Sequence, residues 1–123
     1  MTNSFADRNF LVTGGTKGMG AAIVARLRAD GARVFTSARS APADIADPAD
    51  FLEADLSTED GARALASSAQ RALDQIDGLV HVVGGSSTPP GGFAAADDAA
   101  WRDALTLNLL PAVRLDRLLA PAL

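Results

Sequence analysis

The 123 residues are 48% hydrophobic and 21% charged, a balance typical of a single globular domain with its own core. The net charge of −4 argues against nucleic acid or a membrane surface as a partner, so an anionic ligand needs a local binding device. Cysteine is absent, which excludes disulfides, thiolate metal sites and cysteine nucleophiles, and with no signal pattern or long apolar run a cytoplasmic protein is expected.

The first half of the sequence alternates short apolar runs with longer amphipathic ones. Asn9–Thr13 (NFLVT) predicts a buried strand, and the turn TGGTKGMG leads from it into a predicted helix over 18–30. Gly31 is expected to end this helix in the left-handed conformation. Arg33–Ser37 (RVFTS) predicts a second strand, and after a polar connection Phe51–Ala54 predicts a short third one.

The alternation continues through a second helix and a fourth strand. Ser57 is expected to begin the helix, with Asp60 three positions later in a shortened capping box. The dipeptide Asp77-Gly78 breaks the apolar helical spacing that precedes it. Leu79–Val83 (LVHVV) then predicts a strand, and residues 84–92 (GGSSTPPGG) predict a loop.

A long helix is predicted from Asp97 or Asp98 onward. Pro111 lies inside it and removes the backbone hydrogen bond to the carbonyl of Leu107, so a kink is expected there. The helix carries one apolar stripe, which suits either its own sheet or a second copy of the chain: Trp101, Leu105, Leu109, Ala112, Leu115 and Leu119.

This series of elements predicts an α/β fold. Right-handed crossovers between the strands give a doubly wound parallel sheet with helices on both faces, in a single domain over 1–123. The strand order expected is 3-2-1-4. Ligands of such sheets bind beyond the carboxyl ends of the strands. The glycine turn after the first strand and the loop after the fourth both open onto that edge.

Gly14, Gly18 and Gly20 have the spacing T-G-x-x-x-G-x-G between a predicted strand and a predicted helix. Glycines permit the tight turn and the close approach of a pyrophosphate, and the helix start offers free amides and a positive dipole end. The turn is not a Walker A loop, because no Gly-Lys-Ser/Thr ends it. The alternative is a glycine-rich connection that binds nothing.

The residues at the end of the second strand indicate which dinucleotide is bound. A Rossmann site for NAD carries an acid about 20 residues beyond the glycines, which accepts from the ribose 2′-hydroxyl. The segment Thr36-Ser37-Ala38-Arg39 has no carboxylate there. Arg39 and Lys17 would instead meet a 2′-phosphate, which favours NADP(H) over NAD(H). The alternative is that both are solvated surface charges.

These motifs resemble the short-chain dehydrogenase/reductase family, from TGGTKGMG through the Asp55-Leu56 pair to LTLNLL around Asn108. The resemblance implies a Rossmann-type fold, hydride transfer between nicotinamide and a carbonyl or alcohol, and a homodimer or homotetramer. It implies that Asp55 contacts adenine beside Leu56, and that the catalytic residue Asn108 helps hold a proton-relay water through its backbone carbonyl. The cofactor-binding residues expected are Thr13, Gly14, Thr16, Lys17, Gly18, Met19, Gly20, Arg39, Asp55, Leu56 and Gly84.

The sequence departs from the family pattern after the fourth strand. Where the family has Asn-Asn-Ala-Gly, this chain has His81-Val82-Val83-Gly84, so the glycine that approaches the cofactor is kept and the asparagine bracing is lost. His81 is the only histidine, and we expect it to be a buried, hydrogen-bonded structural residue rather than a catalytic one or a metal ligand.

The second departure concerns the catalytic residues. The family's serine and its Tyr-x-x-x-Lys pair would follow Leu123, while these residues contain no tyrosine and only one lysine, Lys17. We therefore expect the chain to be the cofactor-binding half of such an enzyme, truncated before the catalytic segment and inactive alone. The alternative is a non-catalytic nucleotide-binding or interaction module.

Overall fold

The computed structural model describes residues 3–45 and 47–123. Within them, one parallel sheet has the order β3-β2-β1-β4, as predicted. Its strands are β1 (Asn9–Thr13), β2 (Arg33–Ala38), β3 (Phe51–Glu53) and β4 (Gly78–His81). The helices are α1 (Gly18–Ala29), α2 (Glu59–Leu73), α3 (Asp98–Asn108) and α4 (Leu110–Leu119). None of these helices is both long and apolar enough to span a membrane.

The two faces of the sheet carry separate cores because successive strand residues point to opposite sides. Leu11 and Phe35 pack with α2 and α4, whereas Val12 and Val34 pack with α1. Removing one such side chain from water contributes roughly 1.5–3 kcal/mol. The predicted Rossmann-type, doubly wound arrangement with helices on both faces is thus confirmed, and it explains why consecutive residues in the middle of the central strands are apolar.

The helix boundaries differ from the sequence predictions by one or two residues. Helix α1 ends at Ala29, and Gly31 takes the predicted left-handed conformation with a φ of 97°. Helix α2 begins at Glu59 rather than Ser57, because Thr58 is the N-cap and its Oγ1 accepts from the Gly61 N–H at 3.0 Å. The predicted capping box at Ser57 is therefore wrong, and the cap lies one residue later.

The strand boundaries also shift. Strand β2 extends to Ala38, and β3 ends at Glu53. Strand β4 runs from Gly78 to His81 instead of over 79–83. It stops there because the N–H groups of the next two residues donate to the hydroxyl of Thr13 instead of continuing the sheet.

The long helix predicted from Asp97 is two helices, and Asp97 is the N-cap of the first. The helix is interrupted at Leu109, so that Pro111 lies in the first turn of α4 rather than inside a continuous helix. Proline is accepted there because first-turn amides have no helical partner. The break divides the apolar stripe: Leu115 is buried, whereas Trp101 remains 53% exposed.

Candidate functional site

A cavity of about 760 Å³ opens at the carboxyl edge of the sheet, within the size range of small-ligand pockets. Its wall combines the β1–α1 turn, the residues after β2 and β3, and the loop after β4. The structure brings together in this wall most of the predicted binding residues: Gly14, Thr16, Lys17, Met19, Gly20, Arg39, Asp55, Leu56 and Gly84.

Close packing of α1 onto the turn before it shapes the first part of the wall. Gly14 has a φ of 66°, and the N–H groups of Gly14 and Gly15 both donate to the Ser37 carbonyl, at 3.0 and 3.3 Å. A Cβ on Gly20 would collide with the carbonyl oxygen of Gly14. The glycines therefore let the start of α1 lie directly against the end of β1.

The start of α1 leaves backbone donors unused. Lys17 is its N-cap, but the Lys17 side chain makes no capping hydrogen bond, and the first turn contains no acidic residue. The Ala21 N–H donates to the Lys17 carbonyl, so the amides before Ala21 have no partner within the helix. This end of the helix carries a partial positive charge and suits an anion.

Two cations at the cavity lack ionic partners. Across residues 3–45 and 47–123, neither Lys17 nor Arg39 forms an ion pair within 4 Å, and both are exposed. Several arginines elsewhere do pair with carboxylates: Arg8, Arg26, Arg28, Arg33 and Arg63. The two cavity cations are thus available to a negatively charged ligand.

Ser37, also in the cavity wall, carries the one buried side-chain polar atom that has no hydrogen-bond partner in the described part of the chain, its Oγ. An unmade hydrogen bond at such a group costs about 1–3 kcal/mol. A polar ligand group that reached this orphaned hydroxyl would supply the missing hydrogen bond.

Asp55 lies in the turn after β3, next to the end of β2 that carries Arg39, because the Ala54 N–H donates to the Ala38 carbonyl at 2.9 Å. Its Oδ1 accepts from the Ser57 Oγ at 2.6 Å and from the Ser57 N–H at 3.0 Å. These bonds lower the pKa of Asp55 below its ordinary value, and the positive charge of Arg39 lowers it further. Asp55 therefore presents a carboxylate to this part of the site, and Leu56 beside it is buried.

Three predicted site residues lie outside the wall, and two of them hold it in place. The Thr13 Oγ1 accepts from the Val82 and Val83 N–H groups, at 3.1 and 3.3 Å. The Asn108 side chain bonds both backbone groups of Gly85, at 2.9 and 2.8 Å. Gly18 is the first residue of α1. The expected role of the Asn108 carbonyl stays a prediction.

His81 is hydrogen-bonded, as predicted, but the prediction that it is buried is wrong. Its Nε2 lies 2.8 Å from the Asp116 Oδ1 on α4, and the residue is exposed. The reason is topological: β4 pairs only with β1 within the described residues, so its outer edge is open.

Part of the wall was not predicted from the sequence. Most of these residues lie at or just after the carboxyl ends of strands, where such sheets bind ligands, and that position is the signal that identifies them; Leu107 is instead on α3. They are Ser37, Ala38, Ser40, Pro42, Ala54, Ser57, Val82, Val83, Gly85, Ser86, Ser87 and Leu107.

Comparison with known proteins places this geometry in context. The family model described as short chain dehydrogenase matches residues 8–123. Nodulation protein G of Rhizobium sp. (strain N33) is 35% identical over 116 residues, which cover 89% of this chain and 46% of that protein. The rhamnolipids biosynthesis 3-oxoacyl-[acyl-carrier-protein] reductase of Pseudomonas aeruginosa is 44% identical over 92 residues, 68% of this chain and 36% of that protein. The chain thus spans less than half the length of these relatives.

A solved structure shows the same architecture with a dinucleotide. The crystal structure of NADH-dependent reductase A1-R′ complexed with NAD superposes with a TM-score of 0.88 at 26% identity. The match covers 100% of this chain and 55% of the reductase.

Proposed function

The chain belongs to the short-chain dehydrogenase family. From this membership and from its own residues, we propose that it binds NADP(H), in preference to NAD(H), at the carboxyl edge of its sheet. It would be the cofactor-binding part of an oxidoreductase that acts on a carbonyl or alcohol substrate. When bound, the nicotinamide supplies or accepts the hydride. The residues of this chain bind and orient the dinucleotide.

The observation that carries the proposal is the pairing of an uncapped helix start with two unpaired cations. The free amides of α1 suit the pyrophosphate, and Lys17 and Arg39 suit a 2′-phosphate. The segment from Thr36 to Arg39 offers no carboxylate for a free ribose 2′-hydroxyl. The related reductase is NADH-dependent, so the preference for NADP(H) rests on this chain's own residues.

The turn after β3, next to Arg39, suits the adenosine end. The Asp55 carboxylate can accept from an adenine amine, and the neighbouring Leu56 gives an apolar surface. The orphaned Ser37 hydroxyl gains a hydrogen bond from a polar group that enters beside β2. Gly84 lets the ligand approach the end of β4 closely, in keeping with its place in the wall.

Catalysis requires a proton donor beside the substrate. Reduction of a carbonyl needs a proton at its oxygen, and the tyrosine that the family resemblance implies for this role is not among the 123 residues. Asn108 is the one residue with a proposed catalytic role, in holding a proton-relay water. We therefore expect cofactor binding without turnover from these residues alone, which is also what a non-catalytic nucleotide-binding module would show.

Calorimetric titration with NADPH, NADP⁺ and NADH tests the proposal. We expect NADPH and NADP⁺ to bind, NADH to bind at least tenfold more weakly, and aldehydes and ketones to cause no oxidation of bound NADPH. No binding of any of the three would refute the proposed function. Rapid oxidation would instead show that the 123 residues do contain a catalytic apparatus.

Self-association is proposed from the apolar side chains that α3 and α4 leave exposed. Trp101, Leu105, Leu109 and Val113 are 43–53% exposed and follow one another at helical spacing. Burying them in a dimer or tetramer would remove apolar area from water. Sedimentation velocity should show an oligomer that Leu105→Glu converts to a monomer, and a monomeric parent chain would refute this assembly.

A further inference from the structure

The turn that carries Asp55 is held from a distant part of the chain. The Arg114 Nη1 on α4 donates to the Ser57 carbonyl oxygen at 3.1 Å, across 57 residues of sequence. Arg114 is half-buried, and the leucine that follows it on α4 belongs to the core shared with α2. The guanidinium is therefore anchored on a rigid element, and its contact reaches the wall of the cavity.

The Ser57 carbonyl needs such a partner because the hydrogen bonds of α2 bypass it. The Thr58 carbonyl accepts from the Ala62 N–H at 3.2 Å, and the Gly61 N–H donates to the Thr58 side chain. Arg114 supplies the missing donor, and a charged donor makes the stronger bond. One residue, Ser57, thus links Arg114 on one side to Asp55 on the other.

Both donors of Ser57 converge on one oxygen of Asp55. Oδ1 accepts from the Ser57 N–H and Oγ, whereas Oδ2 has no hydrogen-bond partner within residues 3–45 and 47–123. Arg114 likewise forms no ion pair with a carboxylate in those ranges. Its contact with a backbone carbonyl orients a turn and leaves the Asp55 Oδ2 for a ligand.

We propose that Arg114 is a positioning residue for the adenosine end of the site. By fixing the Ser57 carbonyl, it keeps the Ser57 donors on Oδ1 and so sets the orientation in which Asp55 meets the ligand. This inference rests on the proposed function, since it requires that the cavity receives a dinucleotide.

A double-mutant cycle tests it, with adenosine 2′,5′-bisphosphate as the probe and calorimetry as the readout. Arg114→Met should weaken binding about tenfold, and Arg114→Gln, which keeps an N–H donor, should weaken it less. In an Asp55→Ala background, Arg114→Met should cost less than about twofold, because the group on which it acts is gone. Arg102→Met, at an exposed arginine on α3, is the matched control.

The outcomes separate this inference from the proposed function. If the parent chain binds neither the bisphosphate nor NADPH, the proposed function fails. If the parent binds the bisphosphate and Arg114→Met binds it equally well, only the inference is overturned. An equal loss in both backgrounds also overturns it, because Arg114 would then act on the fold rather than through Asp55. Urea unfolding shows whether each variant is folded. If Arg114→Met does not fold, the binding of the bisphosphate by Arg114→Gln decides whether the inference stands.

Discussion

Helices α1 and α2 both begin beside the cavity, yet their first turns are built in opposite ways. Thr58 caps α2 with its side chain, and Glu59 and Asp60 place negative charge at the positive end of the helix. Helix α1 has neither device, and the residue before it is a lysine. The dipole of α2 is thus compensated from within the chain, whereas that of α1 is left for an external anion.

This difference gives the two helix starts different ligand preferences. Phosphates would be repelled by the acidic start of α2 and attracted by Lys17 and the free amides of α1. Asp55, next to Arg39 at the ends of β3 and β2, would suit a neutral group with donors, such as an adenine amine. In the proposed function, charge would therefore help to orient the dinucleotide.

The largest effect is expected from adding a side chain at Gly20, where α1 packs against the turn before it. Gly20→Val places side-chain atoms where the Gly14 carbonyl oxygen lies, so we expect a loss of at least about 3 kcal/mol in the free energy of unfolding and no NADPH binding. Urea unfolding and calorimetry measure both. Wild-type affinity in this variant would contradict the close packing of α1 on the turn.

A neighbouring glycine gives the matched control. A Cβ on Gly18 meets nothing within 4 Å, and its φ is 51°. Gly18→Ala should therefore cost only about 1–2 kcal/mol of backbone strain. Gly18→Val should abolish the binding of NADPH and NADH if the pyrophosphate lies over the start of α1, where Gly18 is the first residue.

The next largest effect tests the cation that follows β2. Arg39→Ala should weaken NADPH binding about 10- to 100-fold, because a charge-assisted bond to the 2′-phosphate is lost, and should change NADH binding less than about twofold. Arg102→Ala removes an equal charge from exposed α3 and should alter neither affinity. Equal losses for the two cofactors would show that Arg39 does not contact the extra phosphate.

The sequence predicts the features that depend on short stretches of chain. Hydrophobic periodicity finds the strands and α1, and the spacing of Gly14, Gly18 and Gly20 locates the turn, because tight turns leave few alternatives to glycine. Gly31 ends α1 as predicted for the same reason. Right-handed crossovers then give a parallel sheet, and the strand order is the one expected of the Rossmann-type fold that the family resemblance implies.

The features that sequence reasoning misses depend on distant partners or on competing local choices. Pro111 is compatible with a kink inside a helix and with the first turn of a new one, and only the break at Leu109 decides between them. The Ser57 hydroxyl is turned toward Asp55, to which it donates, while the Thr58 Oγ1 accepts from the Gly61 N–H and so caps α2. His81 and Arg114 have partners 35 and 57 residues away, which no local pattern encodes.

A smaller, crossed pair of effects would sharpen the comparison between α1 and α2. Thr58→Ala removes a cap and should lower the free energy of unfolding by about 1 kcal/mol while leaving NADPH affinity within about twofold. Lys17→Ala removes no cap, so it should leave stability within about 0.5 kcal/mol and weaken NADPH several-fold. Urea unfolding measures the stability of both variants, and calorimetry measures their NADPH affinity. If Thr58→Ala weakened NADPH binding and Lys17→Ala lowered stability, the roles of the two helix starts would be reversed.

The smallest expected effect is the pH dependence created by Ser57. Its two hydrogen bonds lower the pKa of Asp55 in the folded state, so their stabilisation is fully present above the unfolded pKa of about 3.9 and is lost as pH falls through the lower folded value. Ser57→Ala removes the side-chain bond and should raise the pKa of Asp55. At pH 7 it should cost at most about 1 kcal/mol, because the site is exposed.

Carboxyl chemical shifts from NMR, together with urea unfolding across pH, measure this effect. The stability difference between Ser57→Ala and the parent should shrink as Asp55 becomes protonated, because a neutral carboxyl gains less from the serine hydroxyl. Ser67→Ala, at an exposed serine of α2, provides the control and should leave the Asp55 titration unchanged. A pH-independent difference would mean that Ser57 stabilises the backbone turn rather than the carboxylate, and the electrostatic contrast between the two helix starts would then rest on Glu59 and Asp60.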